Sequence, residues 1–216
     1  MGKMPLILAF DTSAAHCAAA VVSGDAILAD MFEPMSIGQA ERLVPMLQDC
    51  LKQAGVTWKD LSRLGVGTGP GNFTGIRIAV STARGISLAR QIPAFGVSMF
   101  ETLVHMLPTP VVASVDARQG RVYLRRYAGL DEEPLVTEVA NPPKSLAMPG
   151  LTVCGAFAGE LAARLNARLV EPTMPLSVAI ALIAASRAPS PHRPAPLYLR
   201  PPDAAPARDL PPTIIA

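Results

Sequence analysis

The stretch that most constrains the fold lies between residues 64 and 90, where glycine is concentrated and then gives way to an apolar helix. Residues 64–67 suit a short strand, Gly67, Gly69, Pro70 and Gly71 form a loop, and helical periodicity begins near Thr74. Asn72 and Thr74 each offer an oxygen to a free N–H of the first turn. Glycines turn sharply and leave amides open, which suits an anion. Yet no Gly-Lys-Ser/Thr follows Gly71, and Asn72 or Thr74 stands where the last glycine of a Gly-x-Gly-x-x-Gly frame belongs. Pro70 also removes one donor. A tight strand-to-helix turn accounts for these residues with fewer assumptions.

At about 100° per residue, Arg77 and Arg84 share one sector of the helix. Ile76, Ile78, Ala79, Val80, Thr82, Ala83, Gly85, Ile86 and Ala89 fill most of the rest. A helix so poor in polar surface is expected to be covered on more than one side. Its own sheet takes one flank. Ile78, Ser81, Thr82, Gly85 and Ala89 make a second flank of small residues that permits a close helix approach, from this chain or from another. Arg77 in the first turn opposes the helix dipole, so a carboxylate or phosphate partner is expected for it, with a solvated arginine as the alternative.

Half of the 216 residues are hydrophobic and 17% are charged, enough for one large domain or two small lobes. The formal net charge of +2 does not mark a dedicated nucleic-acid binder, and RNA contact is neither required nor excluded. Cys17, Cys50 and Cys154 include no Cys-x-x-Cys pair, which points to reduced, buried thiols in the cytoplasm. The apolar run at residues 6–10 is too short for a signal-peptide core. No stretch approaches the roughly 20 apolar residues of a membrane span, so no membrane association is expected. Met4 is an alternative start.

Residues 6–10 read as a strand covered on both faces, ending in Asp11-Thr12-Ser13. Residues 17–22 and 26–32 complete a three-strand meander. Asp11 either holds a hydrated metal or a phosphate-bound water, or caps its own turn, the commoner role. Residues 39–54 form an amphipathic helix with Leu43, Val44, Leu47, Cys50, Leu51 and Ala54 on one side. Pro45 is tolerated if that helix starts near Glu41 and otherwise kinks it. A strand at 92–97 and a helix at 99–106 capped by Ser98 follow.

The opening pattern then recurs weakly. Residues 111–115 followed by Asp116, a turn at 118–121 and a strand at 122–127 echo the first strand, its carboxylate and its turn, which suggests two lobes of one plan with a break near 107–110. Arg121, Tyr123, Arg125 and Tyr127 alternate onto one face. A nucleic acid can stack there, but a solvated face with rings packed on aliphatic stems is the preferred reading. A strand at 151–154, a helix at 157–166 and a helix at 177–188 capped by Ser177 complete the lobe. Beyond Pro189 proline forbids regular structure, and 197–200 is the one apolar segment there able to dock.

Leu6-Ile-Leu-Ala-Phe-Asp-Thr-Ser13, Gln39-Ala-Glu-Arg-Leu-Val-Pro-Met46, Gly69-Pro-Gly-Asn-Phe-Thr-Gly-Ile-Arg77, Ala113-Ser-Val-Asp-Ala-Arg118 and Leu197-Tyr-Leu-Arg-Pro-Pro-Asp-Ala204 together resemble the bacterial TsaB/YeaZ family, over nearly the whole chain. The Gly-Pro-Gly-Asn-Phe-Thr-Gly segment is the most specific part. The resemblance implies an α/β, two-lobed, actin-like and sugar-kinase-like fold with duplicated ribonuclease H-like lobes. It places an N-terminal lobe at 4–107, a C-terminal lobe at 108–200 and a proline-rich tail at 201–216.

It also implies a part in making threonylcarbamoyladenosine beside the anticodon of certain tRNAs. In that family a larger paralogue, TsaD, binds the metal and nucleotide and does the catalysis. TsaB is its partner, an ATPase, TsaE, joins them, and tRNA meets the complex. The segments used to associate correspond here to 39–54 and 73–90. The implied interface is therefore Leu43, Met46, Leu47, Phe73, Thr74, Arg77, Ile78, Ser81, Thr82 and Gly85, with a homodimer through the same surface when the chain is alone.

The residues agree with a subunit that acts by binding. His16, His105 and His192 include no His-x-x-x-His pair, and neither a His-Glu-x-x-His motif nor a recognisable nucleophile–base pair supports the older glycoprotease description. No residue is assigned a catalytic or metal-binding role, and no cofactor is expected to be required. Asp11, Thr12, Ser13, Gly69 and Gly71 form a vestigial nucleotide site that leaves weak binding open. The competing reading is an ATP-dependent transferase or phosphotransferase using Asp11 and the glycine loop. A third is direct tRNA binding through Arg118, Arg121 and Arg125.

Overall fold

A computed structural model describes residues 4–129, 132–188 and 192–199. The expected tail at 201–216 lies outside the described residues. The chain opens with the expected meander, β1 (Leu6–Asp11), β2 (His16–Ser23) and β3 (Ala26–Pro34). Helix α1 (Gln39–Gln53), strand β4 (Arg63–Gly67), helix α2 (Phe73–Arg90), strand β5 (Ala94–Val97) and helix α3 (Met99–Val104) follow. A second series comprises β6 (Val111–Asp116), β7 (Arg121–Tyr127), β8 (Leu135–Glu138), a 3-10 turn (Lys144–Leu146), β9 (Thr152–Gly155), α4 (Ala158–Leu165), β10 (Arg168–Leu169) and α5 (Leu176–Ser186).

The two series build sheets of the same topology. The first runs β3-β2-β1-β4-β5 and the second β8-β7-β6-β9-β10. In each, the first strand pairs antiparallel with the next and parallel with the fourth. The repeat suggested by the strand-carboxylate-turn pattern is therefore a repeat of architecture.

β1 is buried on both faces, and its alternation sorts side chains between two cores. Leu6, Leu8 and Phe10 meet Leu43, Met46 and Leu47 of α1 and Ile76, Ala79, Val80 and Ala83 of α2. Ile7 and Ala9 meet Val178, Ile180, Ala181 and Ala184 of α5. Each fully buried leucine, isoleucine, valine, methionine or phenylalanine among them contributes about 1.5–3 kcal/mol.

This packing corrects the lobe boundaries. Helix α5 follows the second sheet in sequence but covers the first, while α3 precedes the second sheet and packs on β6 and β9 through Phe100. Residues 99–104 therefore belong structurally with the second lobe and residues 176–186 with the first. Arg63 holds the returning helix by donating from Nη1 to the carbonyls of Ala184, Ala185 and Arg187, where a cation complements a helix C-terminus.

Smaller expectations change too. Pro175, not Ser177, occupies the N-cap of α5, and the Ser177 hydroxyl donates instead to Asp30 at 2.6 Å. Pro45 lies inside α1, on its exposed side, since the helix starts at Gln39. The β7 face is not solvated, because α3 and Leu197 and Leu199 cover it and Tyr123 is buried. Arg125 still lies over the Tyr127 ring at 5.2 Å, the expected ring-on-arginine contact.

Candidate partner-binding face and interlobe cleft

The end of β1 and the glycine loop meet as the sequence suggests, but they are packed into one another. The Asp11 carboxylate is fully buried; its Oδ1 accepts from the Ser13 N–H and hydroxyl and faces His16 Nε2, each at 2.8 Å. The Thr12 hydroxyl donates to the Gly75 carbonyl, and the Asn72 N–H to the Ser13 carbonyl, both at 2.6 Å. A Cβ at Gly71 would lie 2.2 Å from the Ser13 carbonyl oxygen, and one at Gly75 1.9 Å from that of Thr12. These glycines admit the chain's own backbone. A phosphate does not fit between Gly69–Gly71 and Asp11–Ser13, because the chain's own carbonyls fill that space and the Asn72 amide is already taken. The geometry at Asp11 is that of a turn cap.

In front of this seal lies an interlobe cavity of about 780 Å³. Ser13, His16, Asn72 and Phe73 line it from the first lobe, Ser114, Asp116 and Arg118 from the second, and Leu197, Tyr198 and Leu199 cross it. Asp116 repeats the cap seen at Asp11, accepting from the Arg118 N–H at 2.7 Å, but is exposed. Among the described residues no three His, Cys, Asp or Glu side chains gather as a metal site. Burial pushes the thiols of Cys17, Cys50 and Cys154 up to about 11, aided at Cys17 by Glu33, at Cys50 by Asp30 and at Cys154 by Glu171.

Helix α2 is capped by Asn72, whose Oδ1 accepts from the Thr74 N–H at 3.1 Å. Its inner side sits on the sheet and α1 borders it. Thr74, Arg77, Ser81, Gly85 and Ala89 are exposed, Ile78 and Thr82 half-buried, and Leu88 is 71% exposed. A Cβ at Gly85 would meet nothing within 4 Å. Among the described residues, nothing seals the small-residue flank.

Three expected interface residues need correction. Leu43, Met46 and Leu47 are fully buried in the chain's own core and cannot be touched from outside. On α1 it is Val44, Pro45 and Gln48 that face outward. The expectation for Arg77 changes as well: its Nε donates to the Tyr198 hydroxyl at 3.0 Å and its guanidinium lies 3.9 Å from the centroid of the Phe73 ring. The sequence marked 197–200 as able to dock but held no sign that it would land on α2.

Two sheets of identical order, each built on a central strand ending in a capping carboxylate, with a cleft between them, define the actin-like and sugar-kinase-like class of α/β proteins. Component A of (R)-2-hydroxyglutaryl-CoA dehydratase from Acidaminococcus fermentans shares that fold, with a TM-score of 0.54 over 84% of this chain and 98% of its own at 9% identity. YeaZ from Pseudomonas aeruginosa superposes with a TM-score of 0.70 at 27% identity, covering 91% of this chain and all of that one.

The family model described as "TsaD: tRNA N6-adenosine threonylcarbamoyltransferase" matches residues 35–144. The tRNA threonylcarbamoyladenosine biosynthesis protein TsaB of Escherichia coli is 36% identical over 56% of this chain and 54% of its own length. An uncharacterized protein of Mycobacterium tuberculosis is 33% identical over 94% of this chain and 96% of its own. The chain belongs to this family and, within it, to the TsaB/YeaZ group. Its match spans only about half the length of the Escherichia coli relative.

Proposed function

We propose that this chain is a non-catalytic subunit in the synthesis of threonylcarbamoyladenosine on tRNA, and that it acts by binding the catalytic paralogue TsaD through the open side of α2 and the neighbouring edge of α1. The observation that carries this reading is the exposed stripe of Thr74, Ser81, Gly85 and Leu88, which the described residues leave uncovered. Small residues there let a second helix approach closely. TsaE and tRNA join through the complex, and in the partner's absence two copies meet on the same stripe. No cofactor is required by the chain itself.

Calorimetric titration of TsaD with wild type and Gly85→Leu tests this. The variant should bind at least about tenfold more weakly, since a side chain would stand where a close helix contact forms. Unchanged affinity would remove α2 from the interface. Magnesium-dependent ATP turnover by the isolated chain, lost in Asp11→Ala, would replace this reading with the transferase one.

A further inference from the structure

The stretch 194–199 touches three parts of the molecule that are otherwise apart. Leu197 donates its N–H to the Thr68 carbonyl at the end of β4, at 2.8 Å. Leu197 and Leu199 pack with Phe100, Ala113, Ala117 and Tyr123 on the inner side of the second sheet. Pro194 accepts from Arg84 Nε at 2.8 Å, and the Tyr198 ring stacks on Phe73 with centroids 4.7 Å apart. Tyr198 thus lies against α2, between two leucines packed in the cleft.

The contact sits at the edge of the open stripe. At about 100° per residue, Phe73, Arg84 and Arg77 adjoin Leu88, Ser81, Thr74 and Gly85. Ile78 and Ile86, packed against the α1–α2 core, close the opposite border. Tyr198 itself is 39% exposed, so its ring belongs to the outer surface. Arg77 carries a charge that the first turn disfavours and a long side chain whose rotamer freedom a partner would have to remove. The Tyr198 hydroxyl and the Phe73 ring fix it beforehand.

We propose that the 194–199 strap is a working part of the partner-binding face, with Tyr198 a positioning residue that sets Arg77 and Phe73 on α2 in the arrangement TsaD meets. This rests on the reading of α2 as the contact surface. Preorganisation of this kind raises affinity by lowering the ordering that association requires. It also ties the cleft to the face: the leucines that cross the cavity are covalent neighbours of the ring that braces the helix.

The test is calorimetry with the full chain and purified TsaD, comparing wild type, Tyr198→Ala, Tyr198→Phe, Arg77→Ala and the Arg77→Ala, Tyr198→Ala double variant. Tyr198→Ala should weaken binding about tenfold and Tyr198→Phe less than about threefold, because stacking on Phe73 survives loss of the hydroxyl. The double variant should lose clearly less than the two single losses combined, because part of the Tyr198 effect runs through Arg77. Urea midpoints confirm folding, and if Tyr198→Ala does not fold, Tyr198→Leu replaces it with the same expectation. Equal affinity of the alanine variant and wild type overturns the strap's role, as do fully additive losses in the double variant. If wild type itself does not bind TsaD, the functional reading falls and this inference with it.

Discussion

Asp11 and Asp116 close corresponding strands of the two lobes and accept the same N–H two residues on, yet one is shut inside the protein and the other stands at the cleft. The difference comes from what covers each sheet. In the first lobe β4 runs into a glycine loop that presses backbone to backbone on the Asp11 turn. Where the first lobe carries α1 between β3 and β4, the second has only a 3-10 turn between β8 and β9. The shared plan sets strand order. The inserted helix and the loop decide which carboxylate is reachable and which lobe presents a helix pair.

Substitution at matched sites should break or sharpen this contrast. The largest effect is expected at Gly75→Ala, where the new methyl has no room beside the Thr12 carbonyl; stability to urea should fall by about 3 kcal/mol or more. Gly159→Ala, at the start of α4 with open space around it, should change stability by less than about 1 kcal/mol. Equal losses would mean that the loop is not the rigid part of the first lobe.

Next come the two carboxylates. Asp11→Ala strips partners from the Ser13 N–H, the Ser13 hydroxyl and His16, all buried, and should cost about 2–3 kcal/mol in the same assay. Asp116→Ala, at an exposed cap, should cost about 0.5 kcal/mol. A reversed order would undo the assignment of Asp11 as a buried cap.

Gly85→Leu should leave the isolated chain as stable as wild type or slightly more so, by about 0.5–1 kcal/mol, because an exposed helix interior favours leucine over glycine. A large loss in urea would mean that the stripe is covered after all.

A last effect, confined to alkaline pH and absent at neutrality, follows from the thiols. Their folded values near 11 lie above the unfolded value of 9.0, so between these limits the unfolded chain binds fewer protons. Stability is then fully present below pH 9 and declines as pH rises toward 11. Replacing Cys50 by Ser should flatten that decline in a pH series of urea midpoints. An unchanged slope would remove the thiol from the account.

Much of this was legible in the residues. The meander, the Asn72 and Ser98 caps, the helix after the glycine loop and the repeat of strand, carboxylate and turn are all local patterns, and local patterns are what a sequence displays. Three features were not legible, for related reasons. The apolar faces of α3 and α5 fit either sheet, so nothing local assigns them. The apolar side of α1 serves a core or a partner equally well, so Leu43, Met46 and Leu47 looked like contact residues. Arg77 wanted an electron-rich partner, and it finds one in the Phe73 ring a turn back on its own helix and the Tyr198 hydroxyl 121 residues away.

The return of α5 to the first sheet bears on how the molecule is made. On a ribosome, β1 to β5 emerge early, but one face of their sheet has no cover until residues 176–186 have left the exit tunnel. The first half to be synthesised is thus among the last to be completed, and an apolar surface that includes Ile7, Ala9 and Phe95 waits on the nascent chain for its helix. A gene cut at the midpoint would yield halves that each lack a helix borne by the other, so this duplicated architecture folds as one unit.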